Sequence, residues 1–259
     1  MFSIEPLYSF AGLLVGLLVG LTGVGGGSLM TPLLVLLFNF HPSTAVGTDL
    51  LYASITKSVG TAVHGARATV DWQIVRRLAS GSVPAALLTL SALYLVGKPA
   101  PDVEITIKIL LGVTLILTAI AILFQARIVA FAQQKLGGVR DIRPRASTIA
   151  LGAVLGVLVS MTSVGAGAIG VTALLILYPK LPMGRIVGSD IAHAVPLTLV
   201  AGLGHLLQGN VNLVLLLSLL AGSIPGIIIG SLVGSRAPDR ILRPALALTL
   251  TVVGSTLLR

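Results

Sequence analysis

Residues 22–28 read TGVGGGS, between LLVGLLVGL (13–21) and LMTPLLVLLF (29–38). Four of the seven are glycine, a residue that weakens a helix interior, yet both flanks are as apolar as a membrane span. About 15 apolar residues precede the glycines and about 10 follow, each run short of the roughly 20 that cross a bilayer. The stretch therefore predicts a hairpin of two short helices with a glycine-rich tip. Non-helical backbone at membrane depth survives only where protein buries it or where it lines a cavity. The residues after Gly25, Gly26 and Gly27 open a new half-helix, with Ser28 as a candidate N-cap. Its free N–H groups and positive end form an anion site. The plainer reading is that the glycines only let helices pack closely. A phosphate-binding P-loop does not fit, because GxxxxGK[ST] is absent and no strand precedes the stretch.

Composition sets the frame around that hairpin. Mean hydropathy is +1.04, with 55% hydrophobic and 10% charged residues in 259, against roughly 25% charged in soluble domains. Charge-poor runs at 44–64, 78–96, 106–124, 186–207, 213–234 and 241–258 have the length of membrane spans. The chain reads as one all-α integral membrane domain. Its net charge of +9 resides in short loops beside helices, the pattern of cytoplasmic loops and anionic-lipid contact, so nucleic acid is not an expected partner. With no cysteine, disulfides, thiolate metal sites and cysteine nucleophiles are excluded. The start, MFSIEPLYSF, lacks the basic n-region of a cleaved signal peptide, and the first apolar segment is expected to stay.

The chain repeats itself. TGVGGGS (22–28) returns as TSVGAGA (162–168), an offset of 140. AVGTD (45–49) returns as IVGSD (186–190), His64 as His205, VDW (70–72) as VNL (211–213) and GSVP (81–84) as GSIP (222–225), all at 141. Repeat one covers about 7–125 and repeat two about 146–258, joined by a polar linker at 126–145. If each Gly-broken segment enters and returns to its starting side, thirteen Lys/Arg fall in loops on one side and two on the other. Strict alternation of single crossings splits them nine to six. The positive-inside rule favours the first arrangement. It makes the repeats inverted, the linker cytoplasmic and both termini extracytoplasmic, in a multi-pass protein of the bacterial inner membrane. Broken helices at matching places in two inverted halves point to a transporter's substrate site.

Ionisable residues at membrane depth are functional candidates. Here they are Asp49, Lys57 and His64 on one predicted helix, and Asp190, His193 and His205 on another. Antiparallel placement of the two helices puts Lys57 at the depth of Asp190, and Asp49 at that of His205. The candidate substrate site is therefore Gly25, Gly26, Gly27, Ser28, Lys57, Gly165, Ala166, Gly167 and His193. Asp49, His64, Asp190 and His205 are candidate coupling groups or structural ion pairs, and for the two histidines a plain interfacial role also fits. Pro196 predicts a kink. The Asp and His residues have no recognised metal-ligand spacing, no GxSG-type nucleophile is present, and no Walker motif supports ATP hydrolysis. No cofactor and no enzymatic activity are expected, and uphill work would need an ion gradient.

The segments GLLVGLTGVGGGSLMTPLL, AVGTDLLYASITKSVGTAVHGARATVDW, TSVGAGA and GSIPG resemble the TauE/SafE sulfite-exporter family, also called toluene sulfonate uptake permeases. The resemblance covers nearly the whole chain. It implies a small duplicated permease for sulfite or organosulfonates, with a small anion as partner inside the lipid. It also implies small hydroxyl residues at the Asp49 position in many members, so the acid-and-base set sets this chain apart. The alternative is a transporter of divalent metal or another cation using the buried Asp and His residues. The oligomeric state is open, a homodimer included.

Overall fold

A computed structural model describes residues 5–22, 27–66, 68–96, 101–136, 144–233 and 239–258. Of these it gives only the backbone for 19–22, 27–28, 63–66, 96, 101–103, 136, 144, 231–233 and 239–242. The described residues form helices α1 (Pro6–Thr22), α2 (Gly27–Leu36), α3 (Pro42–Ala66), α4 (Trp72–Val96) and α5 (Pro101–Leu136). The second set is α6 (Pro144–Thr162), α7 (Ala168–Leu177), α8 (Met183–Leu207), α9 (Leu213–Val233) and α10 (Asp239–Leu257). In chain order a short helix, α2 or α7, follows α1 and α6, and three longer helices follow each of these.

Local chemistry sets the starts. Proline occupies the first helical position of α1, α3, α5 and α6, where its missing N–H costs nothing. The Asp71 carboxylate accepts the N–H groups of Gln73 (3.0 Å) and Ile74 (3.3 Å) at the head of α4. Asn212, its counterpart 141 residues on, accepts from Leu215 (3.0 Å) at the head of α9.

Among the described residues five helices are long and apolar enough to cross a membrane, within 72–95, 104–135, 145–162, 183–207 and 213–230. Large apolar side chains such as Leu88, Leu117, Leu217, Ile228 and Leu248 lie exposed around them, a surface that only lipid tolerates at this extent. The chain is a multi-pass, all-α membrane protein. The polar stretch after residue 125 differs from its reading as a linker: 126–136 continue α5. Its Ala, Gln and Lys are good helix formers, and polarity alone does not end a helix.

Glycine seams hold the bundle together. A Cβ on Gly12 of α1 would lie 2.2 Å from the Leu219 carbonyl oxygen of α9, and on Gly16 2.5 Å from that of Ser223. The counterparts on α6 meet α4 alike, Gly152 at 2.2 Å from the Leu78 oxygen and Gly156 at 2.4 Å from that of Ser82. Residue numbers rise together along both seams. On α3 and α8 they run oppositely: Gly47 meets His205 and Gly60 meets Ile191. On α5 and α10 they also run oppositely, with Gly112 at Leu258 and Gln125 bonded to Arg243 (3.3 Å).

Lipid offers no hydrophobic gain for pairing such helices, so close backbone approach supplies the attraction. Gly222→Ala, whose Cβ would fall 1.7 Å from the Ser9 oxygen, should force α1 and α9 apart at a cost of about 1–3 kcal/mol or more. Thermal unfolding in detergent measures it. Gly184→Ala, with nothing within 4 Å of the new methyl, should leave the midpoint unchanged.

Candidate functional site

The second broken pair shows how the chain turns inside protein. Thr162 closes α6, and its Oγ1 accepts the Val164 N–H (3.1 Å). Three residues then take positive φ: Ser163 (60°), Gly165 (126°) and Gly167 (122°). The values at the two glycines lie in backbone space that glycine enters freely and other residues rarely do. Residues 162–168 are all buried. The α7 helix starts at Ala168 with Gly167 as N-cap and no side-chain cap, so its first N–H groups need another partner. In the first tip, Gly25 and Gly26 lie outside the described residues. Gly27 and Ser28 begin α2, described in backbone only.

The partner at α7 is Asp190 of α8. Its carboxylate faces the Gly167 N–H, and a Cβ on Gly170 would sit 2.3 Å from its Oδ1. Only a glycine at 170 lets the carboxylate reach the positive end of the half-helix. Lys57 of α3 faces Asp190 and also Asp49 on its own helix. Asp49 accepts a hydrogen bond from Thr31 of α2 (Oγ1 to Oδ2, 2.5 Å). The Ser163 hydroxyl faces the same carboxylate without reaching hydrogen-bond geometry.

His193, one turn beyond Asp190, meets Ser82 of α4 through Nε2 (2.8 Å) and lies within the field of Lys57. All four ionisable residues are buried. Among the described residues, Asp49 Oδ1, Asp190 Oδ1 and His193 Nδ1 have no hydrogen-bond partner. Two carboxylates and one ammonium thus converge where α2, α3, α7 and α8 meet.

The structure brings together Asp49, Lys57, Asp190, His193 and the second tip, Gly165, Ala166 and Gly167. It sets His205 elsewhere: Nε2 donates to the Ser160 carbonyl (2.8 Å), a latch between α8 and the end of α6. His64 lies in the last turn of α3, described in backbone only. Among the described residues no group of three or more His, Asp or Glu is placed to hold a metal ion.

Sequence reading gave no role to Thr31, Tyr52, Ser82, Ser163 or Ser223. Tyr52 stands 141 residues before His193, and Ser82 the same distance before Ser223. The buried Tyr52 hydroxyl faces Ser223 as His193 faces Ser82, though neither Tyr52 nor Ser223 completes a hydrogen bond. Carrying the repeat offset through each polar residue would have found this second pair. Thr31, inside an apolar half-helix, carried no such signal.

A broken helix pair buried in a multi-pass helical bundle, with buried ionisable side chains at the break, defines a membrane protein built around a polar centre. The chain belongs to the sulfite exporter TauE/SafE family, whose model matches residues 8–257. It is therefore an inner-membrane transporter and not an enzyme. It is similar to the probable membrane transporter protein YjnA of Bacillus subtilis (strain 168), with 42% identity over 252 residues, 95% of this chain and 97% of that one. The probable membrane transporter protein YdhB of the same organism is 28% identical over 95% of this chain and 96% of its own. MJ0441 of Methanocaldococcus jannaschii, also a probable membrane transporter protein, is 26% identical over 79% and 73%. No solved structure matches the chain.

Proposed function

We propose that the protein is a secondary transporter or facilitator for small sulfur oxyanions, sulfite or organosulfonates, with two inverted halves whose Gly-rich tips meet the substrate. The observation that carries this is the buried start of α7 at the Gly165–Gly167 tip, where Gly167 offers no side-chain cap, Asp190 faces the Gly167 N–H and Lys57 faces Asp190. A –SO₃ group accepts several charge-assisted hydrogen bonds at once, as a helix N-terminus and an ammonium can supply. The Asp190 carboxylate faces that end. An incoming anion adds negative charge beside two carboxylates, so a cation taken by the unpartnered Oδ1 atoms would offset it. In this reading Asp49 and Asp190 couple the anion to a cation gradient.

The inverted arrangement draws support from helix directions. The seams make α1 parallel to α9 and α6 parallel to α4, while α3 and α8 oppose one another, as do α5 and α10. Corresponding helices then run in opposite senses. Because the chain has no cysteine, single-cysteine labelling tests the topology. Leu258→Cys should react with an impermeant reagent from outside, and Gly184→Cys only after permeabilisation. The reverse pattern would overturn the placement of the termini outside, and equal labelling of Gly209→Cys and Gln133→Cys from one side, as strict alternation requires, would overturn the inverted topology.

A second reading, cation transport, is favoured by the two buried carboxylates with free oxygens. Ligand-dependent stabilisation of the purified protein separates the two. Sulfite or an aromatic sulfonate at about a hundredfold excess over Kd should stabilise by about 2.7 kcal/mol. If only sodium or divalent cations raise the unfolding temperature, the anion reading fails and the cation reading stands.

A further inference from the structure

A pocket of about 330 Å³ opens between α4 and α6, lined by Gln73, Arg76, Arg77, Ser80, Arg145 and Ile149. We infer that it binds the phosphate group of an anionic lipid headgroup at the membrane surface, separately from the substrate centre.

Three arginines line one cavity, Arg76 with its Nε donating to the Trp72 carbonyl (3.3 Å), and among the described residues no carboxylate lines it. The nearest acid along α4, Asp71, is spent on the helix N-terminus through the N–H groups of Gln73 and Ile74. Arg145 stands in the first turn of α6, where the helix's own positive end disfavours a cation. An anion in the pocket relieves that conflict. The scaffold is stiff: Gly81 packs against the Ile149 carbonyl and Gly152 against that of Leu78, so the two basic helices are fixed side by side. Arg77 is further oriented by its Nη1 donating to the Tyr178 hydroxyl (3.2 Å). Planar guanidinium forks match phosphate oxygens in pairs.

The repeat provides an internal comparison. The same seam between α1 and α9 carries Leu217, Ser218 and Ala221 at the positions of Arg76, Arg77 and Ser80, and Glu5 at that of Arg145. There Ser218 accepts the Glu5 N–H (3.0 Å). Backbone packing is shared and charge is not, so the basic cluster is not a consequence of the fold. A headgroup fits better than free phosphate because Trp72, one turn before Arg76, is exposed at the head of α4. Tryptophan there marks the membrane–water interface.

The test uses the full-length protein in detergent, with binding of phosphatidylglycerol followed by native mass spectrometry and thermal stabilisation. Phosphatidylcholine and inorganic phosphate are the other arms. Wild type should retain phosphatidylglycerol over phosphatidylcholine. Arg76→Gln, Arg77→Gln and Arg145→Gln should each weaken retention roughly fivefold, while adding sulfite should not displace the lipid. Lys180→Gln, on a basic loop outside the pocket, should leave retention unchanged. Equal retention by wild type and the three pocket variants overturns the site. Stabilisation by inorganic phosphate equal to that by phosphatidylglycerol overturns the headgroup assignment. Arg76 and Arg145 are exposed, whereas Arg77 is half-buried and loses its bond to Tyr178 in the variant, so unchanged thermal unfolding of the lipid-free variants is the control for folding.

Discussion

Lys57→Met is expected to abolish transport and to destabilise the protein by about 3–5 kcal/mol, the usual effect of removing one partner from a buried charged group. The asymmetry of the cluster makes this sharper than a generic ion-pair argument. Among the described residues Lys57 is the ammonium that faces two buried carboxylates, Asp190 and Asp49. Its loss leaves both without a cation, whereas Asp190→Asn leaves Lys57 with Asp49. The lysine variant should therefore be the worse of the two in unfolding temperature. Combining them should recover part of the loss without restoring it, since Asp49 still lacks its cation. Thermal unfolding of the four proteins, with sulfite uptake in proteoliposomes, makes the comparison. Equal stability of all four would show that Lys57 does not serve these carboxylates.

The position of this cluster was partly legible in the sequence because two periodicities agree there. Depth along antiparallel helices pairs Lys57 with Asp190, and i+3 spacing adds His193 to the Asp190 face. The six long charge-poor runs likewise fall on α3, α4, α5, α8, α9 and α10. Depth gives neither rotation nor lateral distance, however. That is why Asp49 and His205, matched in depth, proved to have different partners: Thr31 for one, the Ser160 carbonyl for the other. Nor did composition show that Asp190 meets the end of α7. That contact depends on Gly170 lacking a side chain at one close approach, and a lone glycine in an apolar helix reads the same whether it packs on lipid or on a carboxylate.

The glycines themselves served in two ways that the sequence did not separate, close packing at the seams and backbone turning at the tip. Substitution at the tip should tell them apart. At Gly165 a Cβ would find its nearest neighbour, Val159 Cγ2, at 3.6 Å, an ordinary contact. The obstacle is φ of +126°, which costs a residue with a side chain about 1–3 kcal/mol. Gly165→Ala and Gly165→Val should therefore be similarly harmful, whereas at Gly152, walled by the Leu78 backbone, valine should be far worse than alanine. Gly167, at φ of +122° and ψ of −109°, is bound by the same rule.

The strain is relieved when the tip rotates, and rotation turns the first N–H groups of α7 away from the substrate. Sulfite binding should fall at least about tenfold for each 1.4 kcal/mol of misalignment, in Gly165→Val and Gly167→Ala alike. Gly26→Val should behave the same way if the first tip is the equivalent element that the repeat implies. The variants should still insert and elute as monodisperse protein, because the φ penalty is local and the seams are intact. Isothermal titration with sulfite reads the result, with Gly184→Ala as the neutral control. Normal sulfite binding by both Gly165→Val and Gly167→Ala would remove the tip from the substrate site, because these two glycines carry the positive-φ backbone that leads into α7.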